Sequence, residues 1–285
     1  MKFSLFPNHG ALNSKPVFEA FAQGVKNLGH TVVFHDLNAD CYVIWSVLWQ
    51  GRMRGNQEIW NFAKKTKKPV IILEVGTLVR GTTWKLGLSH VNALGYNFEK
   101  FDIDYTRSQK LGLSLKPWKK SGQNIVIFGQ HSQSEQWSTR PPVDEWLKNL
   151  VTIIRRYSDR PIIYRPHPRD RFFQKIDDFS TSIPIKIPDS HDVYDHEREL
   201  ETTWCAINAC SGVGVQAAIN GIPIFCEKDS LAWPVSIENL ANLENPLTPD
   251  RAVWFEKICN TEWTINEIAS GQPIKNLLKN LTIFD

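Results

Sequence analysis

Three short stretches carry residue types suited to holding an anion. Arg165-Pro166-His167-Pro168-Arg169 closes the apolar run Pro161 to Arg165. Its two prolines stiffen the backbone, so the side chains of Arg165, His167 and Arg169 leave from a fixed corner. Arginine can bind phosphate through two parallel hydrogen bonds, and imidazole can add another. A capped turn with solvated arginines is the plainer reading of the same residues. Ser211-Gly212-Val213-Gly214-Val215-Gln216 follows a second apolar run, Trp204 to Ala209, and opens a helix. The first N–H groups of a helix and the positive end of its dipole face whatever lies there, and Gly212 and Gly214 allow close approach. It is not a phosphate-binding P-loop, since no Lys-Ser/Thr follows, nor a full GxGxxG, since position 217 is alanine. A tight turn needing glycine for packing explains it too. Gly129-Gln130-His131-Ser132-Gln133-Ser134 follows the run Asn124 to Phe128. Here Gln130, Ser132 and backbone N–H groups could meet phosphate or ribose oxygens, or form an ordinary polar loop.

Other constellations offer less. Glu74 ends a strand and precedes Gly76 by two residues, which suits a base or an acceptor-positioning carboxylate. Pairing with Arg80 in a structural network is the alternative. His191-Asp192-Val193-Tyr194-Asp195-His196 is rich in potential ligands, but its histidines are five apart and do not share a helical turn. It reads as an exposed acidic loop, and no metal site is expected. Ser211 lacks a GxSxG elbow, and no cysteine has a persuasive histidine partner, so nucleophilic hydrolysis has little support.

The elements that must position these residues alternate. Lys2 to Phe6 reads as a strand, and Ser14 with Pro16 begins a helix whose apolar residues Val17, Phe18, Phe21, Val25 and Leu28 share one face. Strands are predicted at Thr31 to Phe34, Cys41 to Leu48 and Pro69 to Glu74, with a helix over Asn56 to Lys65. Val75 to about Leu115, broken by five glycines, reads as loops and short helices. Lys116 to Gln123 reads as a hinge. After it come a strand at Asn124 to Phe128, a helix from Val143, strands at Pro161 to Arg165, Trp204 to Ala209 and Pro223 to Cys226, and two tail helices anchored by Trp254 and Trp263. This rhythm predicts an α/β fold of two Rossmann-like domains, 1–120 and 121–285, with a ligand cleft between them at the carboxyl ends of the strands.

Composition agrees with globular α/β structure: of 285 residues, 42% are hydrophobic and 22% charged. The longest apolar run, Cys41 to Trp49, is far short of the ~20 residues a spanning helix needs, and the start has no signal-peptide core, so a cytoplasmic protein without stable membrane insertion is expected. Five cysteines without a CxxC read as buried reduced thiols. The net charge of +3 hides a split: residues 1–120 carry 17 Lys/Arg against 8 Asp/Glu, residues 121–285 carry 16 against 22. A basic first half suits an anionic partner, or is simply a solvated face.

Arg165-Pro166-His167-Pro168 followed by Ser211 to Ile224 resembles the C-terminal halves of capsule-polysaccharide-synthase-like glycosyltransferases, which have the GT-B architecture. Leu73-Glu74-Val75-Gly76, with Val91-Asn92 downstream, is similar to that group's Glu-x-Gly segment and its Val-Asn. The resemblance covers about a quarter of the chain in short patches. It implies transfer of a sugar from a nucleotide-sugar co-substrate, with no other cofactor. By it, Arg165, His167 and Arg169 contact donor phosphates, Ser211, Gly212 and Gly214 supply hydroxyl and backbone donors, and leaving-group stabilisation needs no metal. On the acceptor side it points to Glu74 as catalytic residue, with Arg80, Lys85 and Asn92 binding. The expected acceptor is a hydroxymethylated base in DNA, as for a phage-type DNA-modifying branch, read by Lys64, Lys65, Lys67, Lys68, Lys116, Lys119, Lys120, Arg52 and Arg54 with exposed Trp49, Trp84 or Trp118. A polyanionic surface glycan is the alternative. A sugar-nucleotide epimerase and a non-enzymatic DNA-binding protein are the rival readings; against the first, Ala217 and Ala218 stand where epimerases carry a carboxylate.

Overall fold

The computed structural model describes residues 1–170, 183–186 and 197–281. The His191 to His196 segment lies outside them. In chain order the strands are β1 (Lys2–Leu5), β2 (Thr31–Phe34), β3 (Cys41–Trp45), β4 (Val70–Val75), β5 (Trp84–Leu88), β6 (Asn124–Phe128), β7 (Ile162–Arg165), β8 (Thr203–Asn208), β9 (Ile224–Phe225) and β10 (Glu262–Trp263). The α-helices are α1 (Lys15–Asn27), α2 (Asn56–Thr66), α3 (Arg107–Lys110), α4 (Val143–Ile154), α5 (Glu197–Thr202), α6 (Gly212–Ile219), α7 (Ala252–Cys259), α8 (Ile265–Ser270) and α9 (Gln272–Leu278). They form two compact units: 1–112 with 256–285, and 113–255.

The first unit is built on a six-stranded sheet in the order β10-β5-β4-β3-β1-β2. β2, β1, β3 and β4 run parallel, and β5 and β10 are antiparallel additions. Every residue of Cys41–Trp45 is buried, which is why that central strand reads as an unbroken apolar run rather than an alternating one. α1 buries Val17, Phe18, Phe21 and Val25, the face its 3.6-residue spacing predicts. Ser14 stands at its N-cap but makes no capping hydrogen bond; Pro16 in the first turn and the Val17 and Phe18 N–H bonds to the Ser14 carbonyl set the start. The second unit has four parallel strands in the order β7-β6-β8-β9. Its core joins Ile125, Ile127, Leu147, Ile154, Ile162 and Ile207. Both units are Rossmann-like, a GT-B-like α/β pair.

The division differs from the one expected at residue 120. Residues 116–123 are not a hinge: Lys116 N–H donates to the Ile219 carbonyl (3.0 Å), Lys119 N–H to that of Gly221 (2.7 Å), and the Lys119 ammonium to the carbonyls of Leu200 and Glu201. The Arg251 guanidinium lies 3.7 Å from the Trp118 ring centre and donates to the Lys116 carbonyl at 2.6 Å. Lys116, Lys119 and Lys120 therefore belong to the second unit and add nothing to a basic face of the first.

The tail expected in the second domain completes the first. β10 pairs with β5, and α8 lies so close to α1 that a Cβ on Gly24 would come within 2.3 Å of the Ile268 carbonyl. Arg107, buried at 1% exposure, locks the tail down. Its Nε donates to the Cys259 carbonyl (2.6 Å), its Nη2 to that of Glu262 (2.5 Å), its two Nη atoms to the Glu267 carboxylate, and its guanidinium stacks 4.1 Å from the Trp263 ring centre. With these boundaries the charge split shrinks. The first unit has 17 Lys/Arg against 12 Asp/Glu and the second 16 against 18.

The five cysteines are free thiols, four of them buried. Burial pushes Cys210 up to about 12. No helix among the described residues is long and apolar enough to cross a membrane.

Candidate functional site

In an open parallel sheet, loops leaving opposite sides of two neighbouring strands open a crevice at their carboxyl ends. In the second unit that point lies between β6 and β8, because the chain goes from β6 to β7 on one side and crosses to β8 on the other. All three anion-suited stretches leave this edge. Gly129 to Ser134 follows β6, Pro166 to Asp170 follows β7, and Ala209 to Ser211 joins β8 to α6.

Hydrogen bonds knit the three loops together. Asp170, buried, accepts from the Ser132 N–H (2.6 Å) and hydroxyl (3.1 Å). Gln130 Oε1 accepts from the Cys210 thiol at 3.2 Å and its Nε2 donates to Gln136 Oε1 at 2.8 Å. Gln130 and Ser132, expected to touch a donor, are thus spent on joining loops. Gly129 is required by close packing, since a Cβ there would come within 2.5 Å of the Tyr164 hydroxyl.

The Ser211 hydroxyl caps α6, accepting from the Val213 N–H (3.4 Å). Beneath it Asn208 Nδ2 donates to the Ser211 carbonyl at 2.8 Å, and a Cβ on Gly214 would meet Asn208 Oδ1 at 2.8 Å. Gly214 is therefore needed for packing on Asn208, and Ser211 with Gly212 forms the half-exposed helix start.

Arg165 is placed otherwise than expected. It is buried, and its guanidinium pairs with the buried Glu199 carboxylate at 3.4 Å, which also takes the Lys186 ammonium at 3.0 Å. Breaking a buried pair leaves an uncompensated charge. Arg165→Ala is therefore expected to destabilise the second unit by about 2–3 kcal/mol, Lys186 keeping part of the charge balanced; an unchanged urea midpoint would contradict the pairing. Half-buried His167 and exposed Arg169 carry the corner forward. The Arg169 N–H donates to His167 Nδ1 at 3.2 Å.

On the first unit the expected acceptor residues separate. Glu74 is half-buried near the end of β4, and its Oε1 accepts from the Val75 N–H at 2.8 Å. Arg80 is exposed on the loop that follows. Lys85 is not available to an acceptor: it is buried and lies 3.9 Å from the buried Glu262. Asn92 follows the opposite end of β5, where its side chain accepts from the Leu94 N–H. Trp84, expected to be exposed, is buried, and Trp49 and Trp118 are half-buried.

The structure adds residues that the motifs did not reveal. Glu262 accepts from the Thr77 N–H and hydroxyl through Oε1 (2.7 and 2.9 Å) and from the Leu78 N–H and Thr83 hydroxyl through Oε2 (2.9 and 2.8 Å). It thereby shapes the loop between Glu74 and β5. The Tyr96 hydroxyl is buried without a hydrogen-bond partner. Burial first, then the carboxylates of Glu262 and Glu74, push its ionisation far up. This unit has its own strand-crossing point between β1 and β3. There buried Asn56 Nδ2 ties the loops, donating to the carbonyls of His9 (3.1 Å) and Trp45 (2.5 Å), beside Ser46 with φ +62° and exposed Arg52 and Arg54. In the sequence this place is marked by Arg52 and Arg54, read there as contacts for a polyanion.

No protein-family model and no curated protein matches the chain. Solved structures do. The KpsC beta Kdo 2,7 transferase of Thermosulfurimonas dismutans superposes with a TM-score of 0.52 at 13% identity, over 96% of this chain and 100% of that one. The KpsC beta Kdo 2,4 transferase of the same organism gives 0.50 at 12% identity, over 99% and 98%. At such identities the likeness is one of fold, and it is GT-B.

Proposed function

We propose that this chain is a glycosyltransferase that moves a sugar from a nucleotide-sugar donor to an acceptor hydroxyl. The observation that carries the reading is the second unit's crossing point, where a serine-capped helix start and the proline-framed His167 corner leave one edge of a parallel sheet. Backbone N–H groups at Gly212 and Val213, the Ser211 hydroxyl, His167 and Arg169 are the donors assigned to the nucleotide phosphates. As the bond to the sugar breaks, negative charge grows on the departing phosphate oxygen. Fixed donors stabilise that charge without reorganising, a form of catalysis that needs no metal. Glu74 is assigned to the acceptor, either taking the hydroxyl proton or holding the hydroxyl in place.

The acceptor is proposed to be polyanionic. Exposed Arg52, Arg54, Lys64, Lys65, Lys67 and Arg80 on a net-basic unit support this. Duplex DNA carrying a hydroxymethylated base fits that charge. A surface glycan fits it too, and the Kdo transfer for which the two structural neighbours are named supports the glycan.

The test is a thermal-shift panel of nucleoside mono- and diphosphates, followed by labelled sugar nucleotides with hydroxymethylated DNA or oligosaccharide. One nucleotide is expected to raise the melting temperature, and His167→Ala to weaken its binding by about tenfold or more, the worth of one charge-assisted hydrogen bond. Absence of any shift across the panel would defeat the reading, and the position of the label separates the acceptors.

A further inference from the structure

His131 and His167 are built alike on neighbouring strand ends. In each, Nδ1 accepts a backbone N–H from two residues on, Gln133 to His131 at 3.1 Å and Arg169 to His167 at 3.2 Å. A nitrogen that accepts is unprotonated, so the neutral His131 ring carries its proton on Nε2. The rings meet edge to face with centres 5.4 Å apart. His131 is only 4% exposed, and its Nε2 is buried with no hydrogen-bond partner. An orphaned buried donor bears the full desolvation cost of an unmade hydrogen bond, and such groups in native proteins call for an explanation.

We propose that His131 is a donor-binding residue, whose Nε2–H is reserved for an oxyanion of the nucleotide-sugar donor and clamps it beside the His167 ring. The proposal rests on the glycosyltransferase reading and deepens it. The oxyanion is a phosphoryl oxygen or the carboxylate of an acidic sugar; a neutral imidazole donates to either. Because Nε2 is closed to solvent in this conformation, the anion reaches it as the His167 ring or the Gly129 to Ser134 loop shifts.

Electrostatics agrees with a neutral donor. Burial lowers the readiness of His131 to protonate; the Asp170 charge and the Arg169 main chain, which lies toward the ring without completing a hydrogen bond to Nε2, act against this, and the Arg169 charge acts with it. His167 is the other titratable group facing the ring.

Asparagine and glutamine divide the two jobs of the ring. His131→Asn keeps an acceptor near the Nδ1 position and removes the Nε2 donor, while His131→Gln keeps a donor near Nε2. Binding of nucleoside mono- and diphosphates, inorganic pyrophosphate and free Kdo is measured by calorimetry on the full chain, with melting temperatures in parallel. His131→Asn is expected to weaken binding about tenfold or more without lowering the melting temperature. His131→Gln is expected to recover part of that loss. Loss confined to the phosphate probes assigns the clamp to phosphate, and loss confined to Kdo assigns it to a carboxylate. If nucleotides bind all the variants equally, the clamp is overturned while the donor reading stands. If the wild type binds pyrophosphate or Kdo through His131 but no nucleotide, the nucleotide-donor reading fails while the oxyanion clamp stands. If it binds none of the probes, both fail.

Discussion

Replacing Arg107 with alanine is expected to destabilise the first unit by about 3–5 kcal/mol, the usual effect of stripping one partner from a buried charged network. The substitution orphans the carbonyls of Cys259 and Glu262 and leaves the Glu267 carboxylate without its bidentate partner. It also uncovers the ring of Trp263, so tryptophan fluorescence during urea unfolding reports the change directly. The same contact sets a pH dependence. Burial by itself would raise the Glu267 pKa, but hydrogen bonds from Arg107 and Thr264 outweigh it and hold the group below the ordinary 4.5. A carboxylate depressed in the folded state adds stability above its unfolded value and loses it as pH falls through the folded one. Acid sensitivity below about pH 4.5 should therefore be shallower in Arg107→Ala than in wild type. Superimposable acid and urea curves for the two proteins would refute this account.

Glu262 should be as intolerant, and for a reason that even glutamine cannot evade. Each of its carboxylate oxygens receives one backbone N–H, Thr77 on Oε1 and Leu78 on Oε2. A threonine hydroxyl can turn around to accept, but a backbone N–H cannot. Whichever way the amide of Glu262→Gln is set, its NH2 group opposes a donor, and Lys85 loses its buried counter-charge. Glu262→Gln is expected to lose about 2–3 kcal/mol and Glu262→Ala about 3–5 kcal/mol. The proposed sugar transfer should fall in both at temperatures where the chain is still folded, because the loop behind Glu74 loses its anchor. Full activity in a folded Glu262→Gln protein would show that the loop does not serve the reaction.

Much of the architecture was legible because it rests on local patterns. The five buried residues Cys41–Trp45 and the apolar stripe of α1 announce themselves through periodicity. The strand-end motifs were found because glycine, proline and serine are the residues such corners need. β5 was missed because Gly87 lies within it and the buried Lys85 disguises it as a solvent-facing segment. β10 is two residues long, and its pairing is a long-range event that no local window registers. The hinge at 116–123 was misread because lysine, proline and glycine also suit a segment fastened by main-chain hydrogen bonds. In the candidate site, residue types pointed to His167 and Ser211. They said nothing of Glu199 taking Arg165, or of His131 Nε2 standing without an acceptor, since both depend on which side chains meet across the sheet.

Because residues 256–281 finish the first unit, its sheet lacks β10 until translation has passed residue 263. The stretch 113–255 has no such dependence and can assemble while the earlier part waits. During translation the second unit would thus close first, and a nascent chain whose residue 255 has just emerged from the ribosome would display a finished 113–255 stretch behind a still unsealed first unit.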